Sequence, residues 1–459
     1  MDSKTTAPAI ELEVADVPNP HPLNGLSVEW DPHLFRRWNT GPDVPGRFDP
    51  AADWPLFCRR IRGMGLHRAR MMMQPEWFAS APGVYDFSDG NEAVDAVCRQ
   101  LDLAQETGMH IDLTIWCARS DGFMGYPQSP DWCSAPTDPD VYVQIAVEIV
   151  KEFLVRRGYT CIGELTLFNE PSWAAYAADG AAHFSDYAVI ARKANDLIVR
   201  EGLRDRIRLV IADDAEHDAF YRQSVDELHD IADLYAGHTY AYGMETPNAV
   251  IAAYVADRVA YARDRGSGKP FIIDEMATNK VIPPMKATDS YDYTRGLFLA
   301  KLTVTALSAG AAGVSYWCLY DENYDDGLRM EVGSWGMADE GYAVRPTYHA
   351  WGLLTVRTAV GSAVYPVRSD RPEEVSAVAL KAPDGRVSYV VLDLTDVPCP
   401  FRLRSAPVRE GTFRRYLFSE PTLPADDRLP AHDRICPVCD GVLADELPAM
   451  SFAVYVEER

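Results

Sequence analysis

The chain reads as an eight-stranded (β/α)8 barrel followed by a small all-β, sandwich-like C-terminal domain. Three observations predict this. Between residues 21 and 360, apolar runs of strand length alternate eight times with amphipathic helical stretches, which implies one closed parallel sheet. No glycine-rich phosphate loop follows the first of these strands, which argues against an open dinucleotide-binding sheet. After Gly361 the helical period disappears, and short β-rich runs split by Pro, Gly and Asp fill residues 361–459.

Residues 1–20 form a polar tail with Pro18 and Pro20, in which the segment ELEVADV, 11–17, supplies a candidate edge strand. The first barrel strand is expected at 24–30. A helix follows over 53–64, with Leu56, Phe57, Ile61 and Met64 on one face. The second strand is 67–74, and the helix over 91–107 closes on Gly108. The third strand is 110–118, followed by a helix over 138–157 that closes on Gly158. The fourth is 164–171, ELTLFNEP, an apolar run stopped by Pro171. Helix 185–201, strand 207–212 and a short helix 220–229 come next. The sixth strand is 234–241, with its helix at 248–264; the seventh is 271–277, with its helix at 291–309. The eighth is 313–320, and the helix 345–360 ends the series. In the second domain, strands are expected at 375–380, 387–394, 413–417 and 450–456.

Composition narrows the function classes. The net charge of −24 disfavours nucleic acid and anionic membrane surfaces as partners, because both are polyanions. The first twenty residues carry neither a signal nor a transit pattern, and no stretch approaches the roughly 18 apolar residues of a membrane span, so a cytoplasmic location is expected. Nine cysteines, an odd number scattered through apolar strands, read as reduced thiols. Cys436-Pro-Val-Cys439, with His432 just before it, is a lone CxxC that lacks a partner pair. Free thiols are the better reading there, and no metal or other cofactor is expected.

The chemistry is expected where the strands end, since a barrel gathers all its strand C-termini on one face. Arg70 ends the second strand, Trp116 and Arg119 the third, Asn169 and Glu170 the fourth, His238 and Tyr240 the sixth, Glu275 the seventh and Trp317 the eighth. Aromatic faces stack on pyranose rings, while amides, guanidinium and carboxyls bond hydroxyls, so this set suits a saccharide. Two carboxyls on separate strand ends suit acid–base or nucleophilic work on one bond. Alternation along the seventh strand groups Phe271, Ile273 and Glu275 on one face and puts Asp274 on the other. Arg68 competes with Arg70 on the same face of the second strand. Trp173 and Tyr176 after the fourth strand, and Trp132 and Trp335 in the loops after the third and eighth, are candidate sugar platforms. The long acidic loop 321–344, with Asp321, Glu322, Asp325 and Asp326, reads equally as a cleft wall or a solvated surface loop.

With these residues in place, residues 20–360 resemble the retaining glycoside hydrolases of clan A, barrels with Asn-Glu-Pro ending strand four and Glu ending strand seven. The resemblance implies that Glu170 is the acid/base and Glu275 the nucleophile. It further implies that Asn169 meets the substrate 2-hydroxyl and that Arg70 holds the nucleophile ionised. His238-Thr239-Tyr240 matches the clan's His-x-Tyr, and Trp317 its strand-eight Trp at the sugar subsite. Strand three departs from the pattern by ending Trp116-Cys117-Ala118-Arg119, where some families carry His. Strand seven departs by reading Asp274-Glu275-Met276. The expected activity is hydrolysis of a β-linked oligosaccharide or glycoside. A transglycosylase using the same site and a non-catalytic sugar-binding barrel are the alternatives.

Overall fold

The computed structural model of the protein describes residues 8–127, 134–173, 183–282, 285–325, 327–405 and 408–458. Eight strands close into a parallel barrel in sequence order: β1 (Gly25–Glu29), β2 (Arg68–Met73), β3 (His110–Ile115), β4 (Ile162–Thr166), β5 (Arg208–Ala215), β6 (Leu234–Thr239), β7 (Phe271–Met276) and β8 (Gly313–Tyr316). Pairing of Gly313–Tyr316 with Gly25–Val28 closes the ring. The eight expected strands are therefore the eight barrel strands.

The outer helices are α1 (Trp54–Met64), α2 (Glu92–Thr107), α3 (Pro139–Val150), α4 (Phe184–Arg200), α5 (Asp218–Leu228), α6 (Asn248–Arg265), α7 (Tyr293–Ser308) and α8 (Pro346–Arg357). Local chemistry sets their ends. Asn91, Asp138 and Asp292 each accept a first-turn backbone N–H. Gly65 and Gly108 end α1 and α2 in the left-handed conformation, which a residue with a Cβ adopts only at a cost. Helix α3 runs on as a π-helix over Lys151–Arg156.

The second unit is a nine-stranded sheet closed on itself. It contains β9 (Ala363–Ser369), β10 (Val375–Lys381), β11 (Val387–Asp393), β12 (Cys399–Arg404), β13 (Gly411–Phe418), β14 (His432–Cys439), β15 (Val442–Leu447) and β16 (Ser451–Glu457), together with an N-terminal strand, Ile10–Val14. That N-terminal strand is not at an edge. It pairs antiparallel with β9 and parallel with β12, so it closes the sheet. Its alternation follows: Ile10, Leu12 and Val14 point into the sheet's interior with Val391, Phe401 and Tyr455, while Glu11 and Glu13 face solvent.

Helices α7 and α8 lie between the two sheets, which is why α7 is buried along almost its whole length. Tyr293 stacks on Phe418 with ring centroids 4.8 Å apart, and the Arg357 guanidinium sits 3.8 Å above the Tyr416 ring. Gly296 permits this approach, because a Cβ there would stand 2.6 Å from the Phe418 ring. No helix among the described residues is long and apolar enough to cross a membrane.

Candidate active site

Two arginines from β2 organise the barrel interior in layers. Residues two apart on a strand share a face, so Arg68 and Arg70 both point inward, one above the other. In the lower layer Arg68 bonds Glu164, Asp112 and Asp274. Three carboxylates and a guanidinium thus fill the barrel where apolar side chains would otherwise pack. Burial pushes Asp112 up to about 8 despite the nearby Arg68 charge. Glu164 is held well below the carboxylate range, because the pull of Arg68, His110 and Arg208 outweighs its burial.

Asp274 was expected on the outer face of β7. It points inward instead, because the pairing of β7 shifts register on both sides just after Ile273 and the bulge breaks strict alternation. Asp274 and Glu275 therefore both turn inward, to Arg68 and to Arg70.

The upper layer is the candidate site. Arg70, fully buried, donates through Nη1 to Glu29 at 3.1 Å and to Glu275 at 2.6 Å. Through Nη2 it donates to Asn169 at 2.7 Å and to Asp213 at 2.6 Å. One planar fork thus fixes residues from four other strands. His238 Nδ1 lies 2.8 Å from Glu170 Oε1 and 3.7 Å from Glu275 Oε2, and Nε2 lies 2.9 Å from Asp213 Oδ1. Tyr240 donates its hydroxyl to Glu275 Oε1. Tyr240 is placed by Glu216, which accepts the Tyr240 and Ala241 backbone N–H groups at 3.0 and 3.1 Å. The Trp317 ring stands edge-on to Tyr240 at 5.9 Å. Oxygens of Glu170 and Glu275 and a nitrogen of His238 all lie within 4.8 Å of one another.

Backbone conformation aims these groups. Regular pairing of β4 ends at Thr166, and Asn169 N–H still bonds Trp116 O at 3.1 Å. Glu170 then adopts φ 47°, a left-handed conformation that costs a non-glycine residue about 1–3 kcal/mol. On β5, Ala212 (φ 79°) and Asp213 (φ 47°) are also left-handed, within a register shift against β6. This kink turns Asp213 between Arg70 and His238.

The charges are mutually dependent. Burial alone would raise Asp213, but Arg70 and His238 hold it at about 2. Burial alone would lower His238, but Asp213 and Glu275 raise it well above 6.5. Burial raises Glu275 above its ordinary value, and the charges of His238 and Arg70 oppose that without reversing it. Arg70 lowers this carboxyl as the sequence led one to expect, but the dry environment outweighs the guanidinium and leaves the net shift upward.

Of the expected residues, Arg70, Asn169, Glu170, His238, Tyr240, Glu275 and Trp317 come together. Trp116 is buried beside them, its ring 5.2 Å from Tyr324 and 5.6 Å from His33. Arg119 is directed elsewhere. It bonds Asp121, Gln74 and Asp325, tying the loop after β3 to the loop after β8. Trp173, 53% exposed, stands at the rim with its edge against His217. Trp335 is no platform: it is fully buried against Phe57, Tyr320 and Tyr348. Trp132, Tyr176 and Asp326 lie outside the described residues. The loop after β8 is not a solvated acidic loop, since Asp321 is buried in a two-pronged pair with Arg345 at 2.7 and 2.6 Å. Cys436 is buried and Cys439 exposed, because positions three apart on a strand face opposite ways; they do not form a chelate.

Sequence reasoning missed Glu29 and Asp213. Both stand at strand ends, in SVEW and IADDAE, and the rule that every barrel strand contributes to one face pointed to strands one and five. As to metals, Glu170, His238 and Glu275 are close enough to share one. Both His238 nitrogens already meet carboxylates, however, and Glu275 is bonded to a guanidinium, so the trio has no imidazole lone pair to offer.

The fold and the site geometry can be set beside known proteins. No family model matches the chain, and no curated protein sequence matches it. Among solved structures, it is similar to the glycoside hydrolase family 30 subfamily 8 xylanase Xyn30A from Clostridium acetobutylicum, at 13% identity and a TM-score of 0.69, covering 98% of this chain and 100% of that one. It is similar to the GH30 xylanase C catalytic domain from Talaromyces cellulolyticus at 14% identity and a TM-score of 0.69, covering 98% and 100%. The GH51 arabinofuranosidase from Xanthomonas axonopodis pv. citri matches at 11% identity and a TM-score of 0.68, again over 98% and 100%. At these identities the likeness is one of fold: barrel and β-domain together, across essentially the whole chain.

Proposed function

We propose that the protein is a retaining glycoside hydrolase that works by double displacement, with Glu275 as nucleophile and Glu170 as acid/base. The observation that carries this is the approach of the two carboxyls, whose oxygens lie within 4.8 Å. Retaining enzymes hold their pair about 5–5.5 Å apart, whereas inverting enzymes need about 6.5–9.5 Å to admit a water.

In the first step a Glu275 oxygen attacks the anomeric carbon, the bond to the leaving oxygen breaks, and Glu170 delivers its proton to that oxygen. In the second step Glu170 takes a proton from water, the water oxygen attacks the anomeric carbon, and Glu275 departs as carboxylate. Arg70 and Tyr240 stabilise that carboxylate as it leaves. The Asn169 carboxamide oxygen is engaged by Arg70, so its amide nitrogen is the end left to meet a sugar hydroxyl. Trp317 and Tyr240 form the apolar corner on which a ring stacks.

Solved structures of similar fold include xylanases, arabinofuranosidases and a glucosidase, which makes aryl pentosides and aryl glucosides the first substrates to test. In such a screen, Glu275→Gln abolishes turnover while saccharide binding persists. Unchanged turnover in that variant would overturn the assignment. Transfer to an added sugar acceptor instead of water would point to a transglycosylase, and binding without turnover by the wild type to a sugar-binding barrel.

A further inference from the structure

A second cluster lies beside the candidate active site and has no part in the chemistry above. Asp31 and His33 follow β1, and Glu322 follows β8. One ligand atom from each lies within 4.8 Å of the others. All three are buried, His33 at 0% exposure and Asp31 and Glu322 at 2%. Neither His33 ring nitrogen has a hydrogen-bond partner, and neither has Glu322 Oε2. Among the described residues, no Lys or Arg side chain pairs with Asp31 or Glu322. The neighbouring Arg70 is taken up by Glu29, Asn169, Asp213 and Glu275.

Two buried carboxyls and an imidazole with both nitrogens unbonded form an expensive arrangement unless a cation completes it. We propose that Asp31, His33 and Glu322 bind a divalent first-row transition-metal ion, of the Zn2+ or Mn2+ type, that fastens the loop after β1 to the loop after β8. The donor set selects this class. An imidazole nitrogen with two carboxylate oxygens suits Zn2+ and Mn2+, whereas Mg2+ and Ca2+ favour all-oxygen sites.

The surroundings are those of a metal site. Asp31 is oriented by the Met72 N–H at 3.0 Å and the Tyr324 hydroxyl at 3.1 Å, leaving further lone pairs for an ion. The His33 ring is walled by Trp77 at 4.9 Å and Tyr324 at 4.5 Å, which excludes solvent and holds its plane. A sugar hydroxyl is a poor alternative occupant, because at 0–2% exposure the three side chains have no opening wide enough for a pyranose. Trp116 and Tyr324 link this cluster to the wall of the candidate active site, so the ion would shape that wall without touching the reacting atoms.

The test reads metal content and thermal stability rather than activity, so it stands or falls apart from the proposed hydrolase function. Full-length protein is stripped with a chelator, then titrated separately with Zn2+, Mn2+ and Mg2+. One equivalent of Zn2+ or Mn2+ is expected to remain after desalting and to raise Tm by about 3–5 °C at a hundredfold excess over Kd, with Mg2+ doing neither. Glu322→Gln and His33→Gln should each abolish retention and the Tm rise, and Glu170→Gln should keep both. Folded wild-type protein that retains neither metal overturns the proposal. So does retention that survives both Glu322→Gln and His33→Gln, or that is lost in Glu170→Gln. If either cluster variant fails to fold, the wild-type titration decides.

Discussion

Asp213 accepts a hydrogen bond from His238 Nε2 at 2.9 Å, and that bond turns Nδ1 toward Glu170 at 2.8 Å. Asp213 thus fixes the ring that positions Glu170, the proposed acid/base. The geometry exists because β5 breaks its pairing with two left-handed residues, Ala212 and Asp213, just where Arg70 and His238 can receive the carboxylate.

Asp213→Asn removes the charge that raises His238 and weakens the anchor of Arg70. The expected result is a fall in kcat of about 100-fold with KM little changed, and a pH profile altered on its alkaline side. Steady-state kinetics across pH checks this. An effect on KM alone would assign Asp213 to substrate binding instead.

The same residue has a signature in acid stability. Its folded-state value of about 2 lies below the ordinary 3.8, so its contribution is fully present above 3.8 and is lost as pH falls toward 2. Denaturant unfolding of wild type and Asp213→Asn should show the wild type losing its advantage over that window, the two converging near pH 2.

Under the proposed double displacement, Glu275 must be ionised to attack. Since burial raises it above 4.5, the acid limb of kcat/KM is expected above that value, with activity lost as pH falls through it. An acid limb below 4.5 would mean that Arg70, His238 and Tyr240 together prevail over burial.

Arg70→Lys keeps the charge and loses the fork. A lysine ammonium cannot span Glu29, Asn169, Asp213 and Glu275 at once, so buried carboxylates are left without a partner. The expected loss is on the order of 3 kcal/mol of stability, together with most of the activity, read by denaturant unfolding and by turnover.

Gly296→Ala tests how the two sheets are joined. The new methyl would stand 2.6 Å from the Phe418 ring and 2.8 Å from the Pro346 carbonyl oxygen. A loss of about 1–3 kcal/mol is expected with kcat unaffected, because the contact lies among α7, α8 and β13, away from the strand ends that carry the site.

Much of the fold was legible because each strand and helix of the barrel announces itself locally, through apolar period and cap residues such as Asn91 and Asp138. Glu170 and Glu275 were legible because Asn-Glu-Pro and a terminal Glu mark strand ends. What stayed hidden depends on pairing. The inward turn of Asp274 comes from a bulge, which the alternation of the sequence conceals. Asp213 enters the site only through left-handed backbone at the end of β5. The N-terminal strand looked like an edge because nothing in Ile10–Val14 reveals that both of its sides are taken. Trp335 read as a candidate sugar platform because it lies in a long loop, but that loop folds back and buries it against Phe57 and Tyr348.

The proposed double displacement requires the short approach of Glu170 to Glu275, and the stereochemistry of the product reports on it directly. Proton NMR of the first sugar released from an aryl glycoside, recorded before mutarotation, is predicted to show the anomer of the substrate. The opposite anomer would require a water between the carboxyls and would contradict the double displacement.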